Sequence, residues 1–372
     1  MRIGVPRETR SGEARVAATP ETVKKLVAGK HAVVIQSGAG AAASYTDEAY
    51  VAAGAAIGTA ADAFGAELVL KVRLPTADEL AQMKRGTVLI GLLEPFNNEG
   101  IAALNAAGLT AFALEAAPRT TRAQSMDVLS SQANIAGYKA VLMAANVYGR
   151  LMPMMMTAAG TVKAARVLIL GAGVAGLQAI ATAKRLGAVV EASDVRPAVK
   201  EQIESLGAKF VDVPYETDEE SEIAQGVGGY ARPMPASWMQ RQAAAVGEKL
   251  KQTNIAITTA LIPGRKAPIL ITEEMVKAMQ PGAVIVDMAV EQGGNCALSE
   301  LDKTVTKYGV HILGQPNIPA TVPTDSSALY ARNLLDFLKL IVDKDGAFVL
   351  PAEDDIVTAC LLTRDGEIKR KN

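Results

Sequence analysis

The chain of 372 residues is 49% hydrophobic and 21% charged, an ordinary globular composition at a length that favours two domains over one. Its formal net charge of −1 gives no field that would attract nucleic acid or an anionic membrane. The two cysteines, Cys296 and Cys360, lack CxxC spacing, and neither His31 nor His311 lies in a metal-binding motif. We therefore expect neither a disulfide framework nor a metal site.

The N-terminal residues turn polar before the apolar core of a signal peptide could form. The most apolar stretch, 167–183, is interrupted by three glycines, whereas a membrane span needs about 20 predominantly apolar residues. The sequence therefore predicts a cytoplasmic chain without a membrane span of its own.

Apolar runs alternate with helical patterns over the first third of the chain, which indicates βαβ units and a mostly parallel sheet. The predicted strands are Arg2–Val5, Ala32–Gln36, Leu68–Val72, Thr87–Leu92 and Thr110–Ala113. The predicted helices are Pro20–Ala28, Thr46–Ala53, Ala77–Met83 and Glu99–Ala107.

A long helix is predicted over Ser125–Tyr148, where it would connect two α/β blocks. The methionine-rich run Leu151–Met156 follows it. Such a run can form a pliable partner surface, but we interpret it as irregular buried core at the domain junction.

The middle third repeats the alternation with six strands. These are Val167–Leu170, Val189–Ala192, Lys209–Val213, Ile255–Thr258, Ala283–Asp287 and Val310–Gly314. Helices are predicted at Val174–Leu186, Val199–Leu206, Pro235–Lys251, Thr272–Met279 and around Leu298–Lys307. The loop 214–235 carries an acidic run, 217–222, that is predicted to be a solvated edge. Its second half places Tyr230 among glycines, which predicts a mobile flap.

A further long helix is predicted at Ser326–Val342, and strands at Phe348–Leu350 and Ile356–Leu362. The fold class is α/β, with two Rossmann-like, doubly wound parallel-sheet domains joined by long helices. The N-terminal domain is expected at 1–128, completed by 325–372, and the nucleotide-binding domain at 138–312.

The strongest local signal is a G-x-G-x-x-G pattern formed by Gly171, Gly173 and Gly176, directly after an apolar strand and at the start of a helix. Gly171 permits a tight turn, Gly173 lets the backbone approach a pyrophosphate, and Gly176 lets helix and strand pack closely. The N-terminus of the helix, at Val174, offers unpaired N–H groups to phosphates.

Asp194 stands at the end of the following strand, where a carboxylate can accept hydrogen bonds from both hydroxyls of the adenosine ribose and repel a 2′-phosphate. Arg196 is a complication because an arginine can accommodate that phosphate. We give Asp194 more weight, so the pattern predicts NAD(H) rather than NADP(H). A substrate dehydrogenase would also need an acid or base, for which Lys71 is the best candidate. The spacing of these residues alone predicts an NAD-dependent oxidoreductase and does not identify its substrate.

Three segments are more specific than the generic fold: Pro118–Gln132; Ile135–Tyr138 continuing to Met155–Thr161; and Thr258–Gly264 with Gly293–Cys296. Together they resemble the NAD(H)-binding component of the proton-translocating NAD(P) transhydrogenases, over essentially the whole chain. Alanine dehydrogenases are a related family. Arg15 and Lys71 resemble their substrate-binding pair, but Glu94 or a neighbour stands where they have a catalytic histidine.

The resemblance implies roles for particular residues. Arg119, Gln124 and Asp127 are expected against the nicotinamide end of NAD(H), and Ser130 at the carboxamide. Thr259, Ala260 and Leu261 should line the nicotinamide pocket, and Tyr230 with Gly229 should close over the nucleotide. The remaining residues expected at the cofactor are Arg122, Val174, Val195 and Arg196. Without the resemblance, the loop around Gln124 would be interpreted as a helix entry capped by Ser125 or Asp127.

The resemblance further implies hydride transfer between NAD(H) here and NADP(H) on a partner subunit, with protons moved by membrane-embedded subunits. Transfer between two nicotinamides needs alignment and exclusion of water, not a general acid or base. A homodimer is expected, in the separately encoded form that docks on the cytoplasmic face of the membrane. Two alternatives stay open: an alanine dehydrogenase-like amino-acid dehydrogenase, and a catalytically silent NAD sensor.

Overall fold

The structure of the protein is a computed structural model that describes residues 1–224, 234–262, 264–351 and 353–370. It divides into two compact units, Met1–Gln132 with Pro319–Asn372, and Ala133–Ile318. The strands are β1 Arg2–Val5, β2 Ala32–Gln36, β3 Ala56–Gly58, β4 Leu68–Arg73, β5 Val88–Leu92, β6 Thr110–Ala113, β7 Met155–Thr157, β8 Gly160–Val162, β9 Arg166–Leu170, β10 Val189–Ser193, β11 Lys209–Phe210, β12 Ile255–Thr258, β13 Val284–Asp287, β14 Thr304–Lys307, β15 Val310–Leu313, β16 Leu361–Arg364 and β17 Glu367–Ile368.

Within the described ranges there are thirteen α-helices. They are α1 Pro20–Ala28, α2 Asp47–Ala52, α3 Ala60–Phe64, α4 Ala77–Leu80, α5 Asn98–Ala106, α6 Val128–Val147, α7 Val174–Arg185, α8 Lys200–Ser205, α9 Asp218–Ala224, α10 Ala236–Leu250, α11 Glu273–Lys277, α12 Pro323–Ile341 and α13 Asp355–Cys360. Short 3₁₀ turns connect several of them, including Thr121–Met126 directly before α6.

The sheet of the first unit has the order β17-β16-β6-β5-β4-β1-β2-β3. Strands β1 to β6 run parallel, and β16 and β17 extend the sheet antiparallel at one edge. The central strands are largely apolar, as in Val88–Leu92, because parallel sheets are covered on both faces. Read from β3, the parallel strands follow the order 3-2-1-4-5-6, with a change of direction between β1 and β4.

The sheet of the second unit has the order β11-β10-β9-β12-β13-β15-β14. All its pairs are parallel except β14 with β15. The chain again winds to one side, through β9, β10 and β11, and then crosses to β12 on the other. In a doubly wound sheet, ligands bind beyond the carboxyl ends of the two strands at this switch point, here β9 and β12.

Most predicted elements are confirmed, with ends displaced by a few residues. The helix predicted around 298–307 is wrong, because the second half of that segment is strand β14. β-Branched Thr304, Val305 and Thr306 favour a strand. Tyr308 and Gly309 both have positive φ, 53° and 78°, as a two-residue hairpin turn requires.

The strand predicted at Ile356–Leu362 is also wrong, since α13 occupies most of it and β16 begins only at Leu361. The side chain of Asp354 starts this helix by accepting hydrogen bonds from the N–H groups of Ile356 and Val357, both at 3.0 Å. Of the strand predicted at Phe348–Leu350, only an isolated bridge between Val342 and Phe348 is present.

The prediction that the methionine-rich run is buried core is wrong for most of the run, although Met152 is buried. Met155 begins β7 of a two-stranded hairpin, and the exposed fraction of Met156 is 74%. The acidic run is mostly exposed as predicted, but it lies in α9, and Glu220 within it is buried against Arg241 at 2.7 Å.

Candidate nucleotide site

The predicted glycine fingerprint lies at the switch point of the second sheet, between the end of β9 and the start of α7. Gly171 has a φ of +98°, a conformation that side chains rarely adopt. A Cβ on Gly176 would lie 1.9 Å from the carbonyl oxygen of Gly171, so only glycine permits this approach. A Cβ on Gly173 would meet no atom within 4 Å. The backbone there faces open space, which suits the close approach of a phosphate.

Asp194 follows β10 and turns its carboxylate back onto the glycine loop. It accepts hydrogen bonds from the N–H of Ala172 at 2.7 Å and from the N–H of Arg196 at 2.9 Å. The guanidinium of Arg196 donates to both carboxylate oxygens, each at 2.9 Å. These hydrogen bonds raise the pKa of Arg196 above its ordinary value. Asp194, which favours NAD(H), and Arg196, which could accommodate a 2′-phosphate, therefore form one ion pair.

An aromatic pair lies behind the next residue, Val195. The hydroxyl of Tyr215 donates to the carbonyl oxygen of Val195 at 3.0 Å. The ring of Tyr215 stacks on buried Trp238, with centroids 6.0 Å apart and an interplanar angle of 16°. Tyr215 and Trp238 thus hold the backbone at Val195, directly after Asp194.

The segment Thr259–Leu261 leaves the carboxyl end of β12, on the other side of the switch point. The hydroxyl of Thr259 donates to the carbonyl oxygen of Gly171 at 2.9 Å, which joins this segment to the glycine loop. Ala260 is held by the amide of Asn295, and Leu261 is exposed. The structure thus brings Gly171, Asp194 and Thr259 to one edge of the sheet.

In the first unit, the 3₁₀ turn Thr121–Met126 presents the candidate Gln124. Ala123 and Met126 are buried in the core on either side of exposed Gln124. The side-chain amide of Asn333, on α12, donates to the carbonyl oxygen of Ser125 at 2.7 Å. The turn is therefore anchored while the amide of Gln124 projects from it.

Asp127 caps the start of α6. Its carboxylate accepts the N–H of Ser130 at 2.9 Å and the hydroxyl of Ser130 at 2.6 Å. This is the helix-entry interpretation considered from sequence, and it joins Asp127 and Ser130 into one group.

The two arginines of this loop are exposed. Arg122 forms ion pairs with Asp354 and Asp355, which raise its pKa. A contact between Arg122 and a nucleotide would have to replace these carboxylates. Arg119 precedes the 3₁₀ turn on the surface of the same unit.

Lys71, the sequence-based candidate for a general base, is 1% exposed and lies between two carboxylates. Its ammonium is 3.2 Å from Glu8 and 3.1 Å from Glu79. Burial raises the pKa of Glu8, although the charge of Lys71 opposes the shift. An enclosed ammonium with two anionic partners is not a base available to a substrate, so this prediction is corrected.

Arg15 is enclosed in the same way. Glu13 accepts from its Nε at 2.8 Å and from its Nη2 at 2.7 Å, and Gln132 accepts from Nη1 at 2.8 Å. Burial alone would raise the pKa of Glu13, but the hydrogen bonds and charge of Arg15 lower it to about 2. Arg15 and Lys71, which resemble the substrate-binding pair of alanine dehydrogenases, thus both bind carboxylates of this chain.

Glu94, which the resemblance places at the position of a catalytic histidine in alanine dehydrogenases, lies beside a second glutamate, Glu115. The carboxylate of Glu94 pairs with Arg10 at 2.8 Å and accepts from Asn97 at 2.9 Å. The N–H of Glu94 donates to Glu115 at 2.6 Å. Burial raises the pKa of Glu115 to about 7, and its second carboxyl oxygen has no hydrogen-bond partner among the described residues.

Gly229 and Tyr230, predicted to form a flap, lie outside the described residues. In the part of the chain that the structure describes, no group of three His, Cys, Asp or Glu side chains could hold a metal ion. No helix among those residues is long and apolar enough to cross a membrane.

The family profile described as alanine dehydrogenase/PNT, N-terminal domain matches residues 4–136, and that described as alanine dehydrogenase/PNT, C-terminal domain matches residues 140–371. The chain belongs to the alanine dehydrogenase/PNT family. Within the family it is 54% identical to the first part of NAD(P) transhydrogenase subunit alpha of Rhodospirillum rubrum, over 99% of this chain and 97% of that one. The alanine dehydrogenase of Bacillus subtilis is 29% identical, over 99% and 92% of the two chains.

The solved structure of transhydrogenase from Sinorhizobium meliloti superposes with a TM-score of 0.90 at 49% identity, covering 99% of this chain and all of that one. The predicted fold class and the resemblance to the transhydrogenases, with the alanine dehydrogenases more distant, are confirmed.

Two buried residues that support the site, Asp287 and Asn295, are not among the sequence-based predictions. Both are fully buried: Asn295 accepts the N–H of Ala260, and Asp287 accepts the N–H of Asn295. A signal was present, because Asp287 ends an apolar strand and Asn295 belongs to the G-G-N-C segment that was noted only for its resemblance. No sequence pattern indicates Glu8, Glu13 or Glu79, because the fold alone brings these carboxylates to Arg15 and Lys71.

Proposed function

We propose that this protein is the NAD(H)-binding subunit of a proton-translocating NAD(P) transhydrogenase. The observation that carries the proposal is the edge of the second sheet, where Gly173 leaves the backbone open and Asp194 lies against the same loop. The family and its transhydrogenase relatives support this assignment over other users of the fold.

In this proposal the loop from Gly171 to Val174 holds the pyrophosphate, because α7 directs its N-terminal N–H groups there. Asp194 accepts the ribose hydroxyls, which requires the guanidinium of Arg196 to release at least one carboxylate oxygen. Val195 and Arg196 border the adenosine, and Thr259 to Leu261 border the nicotinamide. For the other residues, a role at the nucleotide is proposed from the resemblance: Arg119, Arg122, Gln124, Asp127, Ser130, Gly229 and Tyr230.

When bound, NADH supplies a hydride directly, so no proton has to move at the reacting carbon. The chain's own residues then have to bind, orient and exclude water. The buried ion pairs of the first unit support this over amino-acid oxidation. Arg15 and Lys71 each face carboxylates of this chain, so an amino acid or keto acid would have to displace buried charges.

The finer aspects of the proposal concern partners. NADP(H) is expected on a second subunit, and proton translocation in membrane-embedded subunits at whose cytoplasmic face this chain docks. The name of the Rhodospirillum rubrum relative, which designates one portion of a subunit alpha, supports the existence of partner subunits. A homodimer is supported by the exposed hairpin of β7 and β8, since exposed apolar patches are typical of interaction sites.

The experiment is transfer of label. NADH carrying deuterium at C4 is mixed with this protein and an NADP⁺-loaded transhydrogenase partner, and NADPH is analysed by mass spectrometry. Deuterium in NADPH that depends on both proteins is expected. NADH binding without label transfer would favour a silent sensor, and turnover of alanine or pyruvate by this chain alone would favour a dehydrogenase; either result would contradict the proposal.

A further inference from the structure

A buried carboxylate lies behind the nicotinamide side of the proposed site. Asp287, at the end of β13, is fully buried and accepts hydrogen bonds from five donors. These are the hydroxyls of Thr258 at 3.2 Å and Ser299 at 2.6 Å, and the N–H groups of Ala289 at 3.0 Å, Asn295 at 2.9 Å and Cys296 at 2.9 Å. Five donors offset the cost of removing a carboxylate from water.

The loop after β13 wraps around this carboxylate. Gly294 has a φ of +78°, and a Cβ there would lie 2.7 Å from Oδ2 of Asp287. Glycine therefore permits the backbone to pass closely enough for the next two N–H groups to reach Asp287. The position of Asn295 is fixed as a result.

The side chain of Asn295 holds the segment that follows β12. Its Oδ1 accepts the N–H of Ala260 at 3.0 Å, and its Nδ2 donates to the carbonyl oxygens of Ala260 at 2.9 Å and Pro268 at 2.8 Å. One amide thus engages both backbone groups of Ala260, as a neighbouring strand would. Thr259 and Leu261, on either side, have their positions set by this peptide.

We propose that Asp287 and Asn295 are positioning residues, which set the alignment of Thr259–Leu261 for hydride transfer. The proposal rests on the proposed transhydrogenase function and deepens it. Because both residues are fully buried, they cannot contact the nucleotide directly. We expect them to act through Ala260, by fixing the position of the backbone that borders the nicotinamide. A displacement of about 1 Å can cost on the order of 100-fold in rate.

Asn295→Ala tests the proposal, because it removes the three side-chain hydrogen bonds and keeps the N–H that reaches Asp287. At saturating NADH, label transfer to NADP⁺ is expected to slow at least ~10-fold. The dissociation constant for NADH should change by less than about threefold, because Gly171 and Asp194 keep their contacts. In the protein without nucleotide, amide hydrogen exchange at Ala260 should become faster.

The matched control is Thr253→Val, in the turn that precedes β12. Thr253 is buried, and its hydroxyl donates to the carbonyl oxygen of Lys249 at 2.9 Å. This variant loses a buried hydrogen bond of the same unit, so thermal stability should fall. Label transfer and amide exchange at Ala260 should stay unchanged.

Normal label transfer in folded Asn295→Ala would overturn the proposal, as would a loss of NADH binding that accounts for the lost rate. Unchanged exchange at Ala260 would overturn its geometric basis without any transfer measurement. If the unmodified protein transfers no label, the transhydrogenase function fails, and exchange at Ala260 still tests the contact. Should Asn295→Ala not fold, Ser299→Ala removes one donor from Asp287 and should show smaller changes in the same direction.

Discussion

At the residue scale, we expect the ion pair between Asp194 and Arg196 to set the preference for NAD(H) over NADP(H). Asp194→Ala should weaken NADH binding at least ~10-fold, because a hydrogen bond to a charged group contributes roughly 1.5–3 kcal/mol. It should also improve NADPH binding, since Arg196 would be released towards a 2′-phosphate.

Isothermal titration with NADH and NADPH checks this. Asp212→Ala is the control, because Asp212 is an exposed carboxylate of the same unit paired with Lys200 at 2.8 Å. Equal affinities of the unmodified protein for the two nucleotides would contradict the assigned role of Asp194.

Glu115 should make stability depend on pH. Burial raises its pKa from 4.5 to about 7, so between these values the folded state holds a proton that the unfolded state has released. Stability contributed by this group is therefore present at low pH and lost as the pH rises through about 7. Glu115→Gln should remove the loss and stabilise the protein above pH 7 by at most ~3 kcal/mol.

Urea denaturation at pH 5 and pH 8 measures the effect. Relative to the unmodified protein, Glu115→Gln should gain stability at pH 8 and little at pH 5. Glu99→Gln is the control, because Glu99 is an exposed glutamate on α5. The same difference at both pH values would contradict the prediction.

At the element scale, the anchored 3₁₀ turn Thr121–Met126 gives Gln124 a fixed base and an exposed amide. Gln124→Asn shortens its reach by one methylene. We expect NADH affinity to stay nearly unchanged and hydride transfer to partner-bound NADP⁺ to slow ~10-fold or more, because an uncharged amide acts here by alignment.

Stopped-flow transfer rates and equilibrium NADH binding, measured on one preparation, separate the two effects. Thr121→Ser, an exposed change on the same turn, should alter neither. Unchanged transfer would make Gln124 a bystander, and a parallel loss of binding would assign it to ground-state binding.

Sequence predicts some elements better than others for physical reasons. Strands such as Val167–Leu170 are evident because buried parallel strands are continuous apolar runs bounded by glycine. The edge strand β14 has no such run, because its side chains alternate between exposed and half-buried and none is fully buried, so the prediction of a helix there is wrong. Asp194 could be predicted because it follows the glycine fingerprint by one strand, at a fixed spacing in the sequence. The ion pair of Lys71 with Glu8 could not, because it joins residues 63 positions apart in the chain.

At the scale of the whole molecule, the parallel strands of both sheets follow the order 3-2-1-4-5-6. At the first switch point lie buried ion pairs, and at the second an open glycine loop. The compact units change over between 132 and 133 and between 318 and 319. The predicted domain limits, 1–128 with 325–372 and 138–312, stay predictions.

The exposed hairpin should contribute to a homodimer. Met156→Asp places a charge on its most exposed methionine and should raise the dimer dissociation constant at least ~10-fold, because a buried unpaired charge is costly. Sedimentation velocity measures this. Val51→Asp, at an exposed apolar residue on α2, is the control and should leave assembly unchanged. A monomeric unmodified protein, or an unaltered Met156→Asp dimer, would contradict the assignment.

Trp238 is the one tryptophan of the sequence, and it stacks on the tyrosine that bonds to Val195. Tryptophan fluorescence of this protein thus arises from one indole, close to Val195. Reduced nicotinamide absorbs in the range where indoles emit, so excitation energy can pass from the ring to a bound dinucleotide. The chain therefore carries an optical probe of its own, and nucleotide titrations can be followed by emission without attaching a dye.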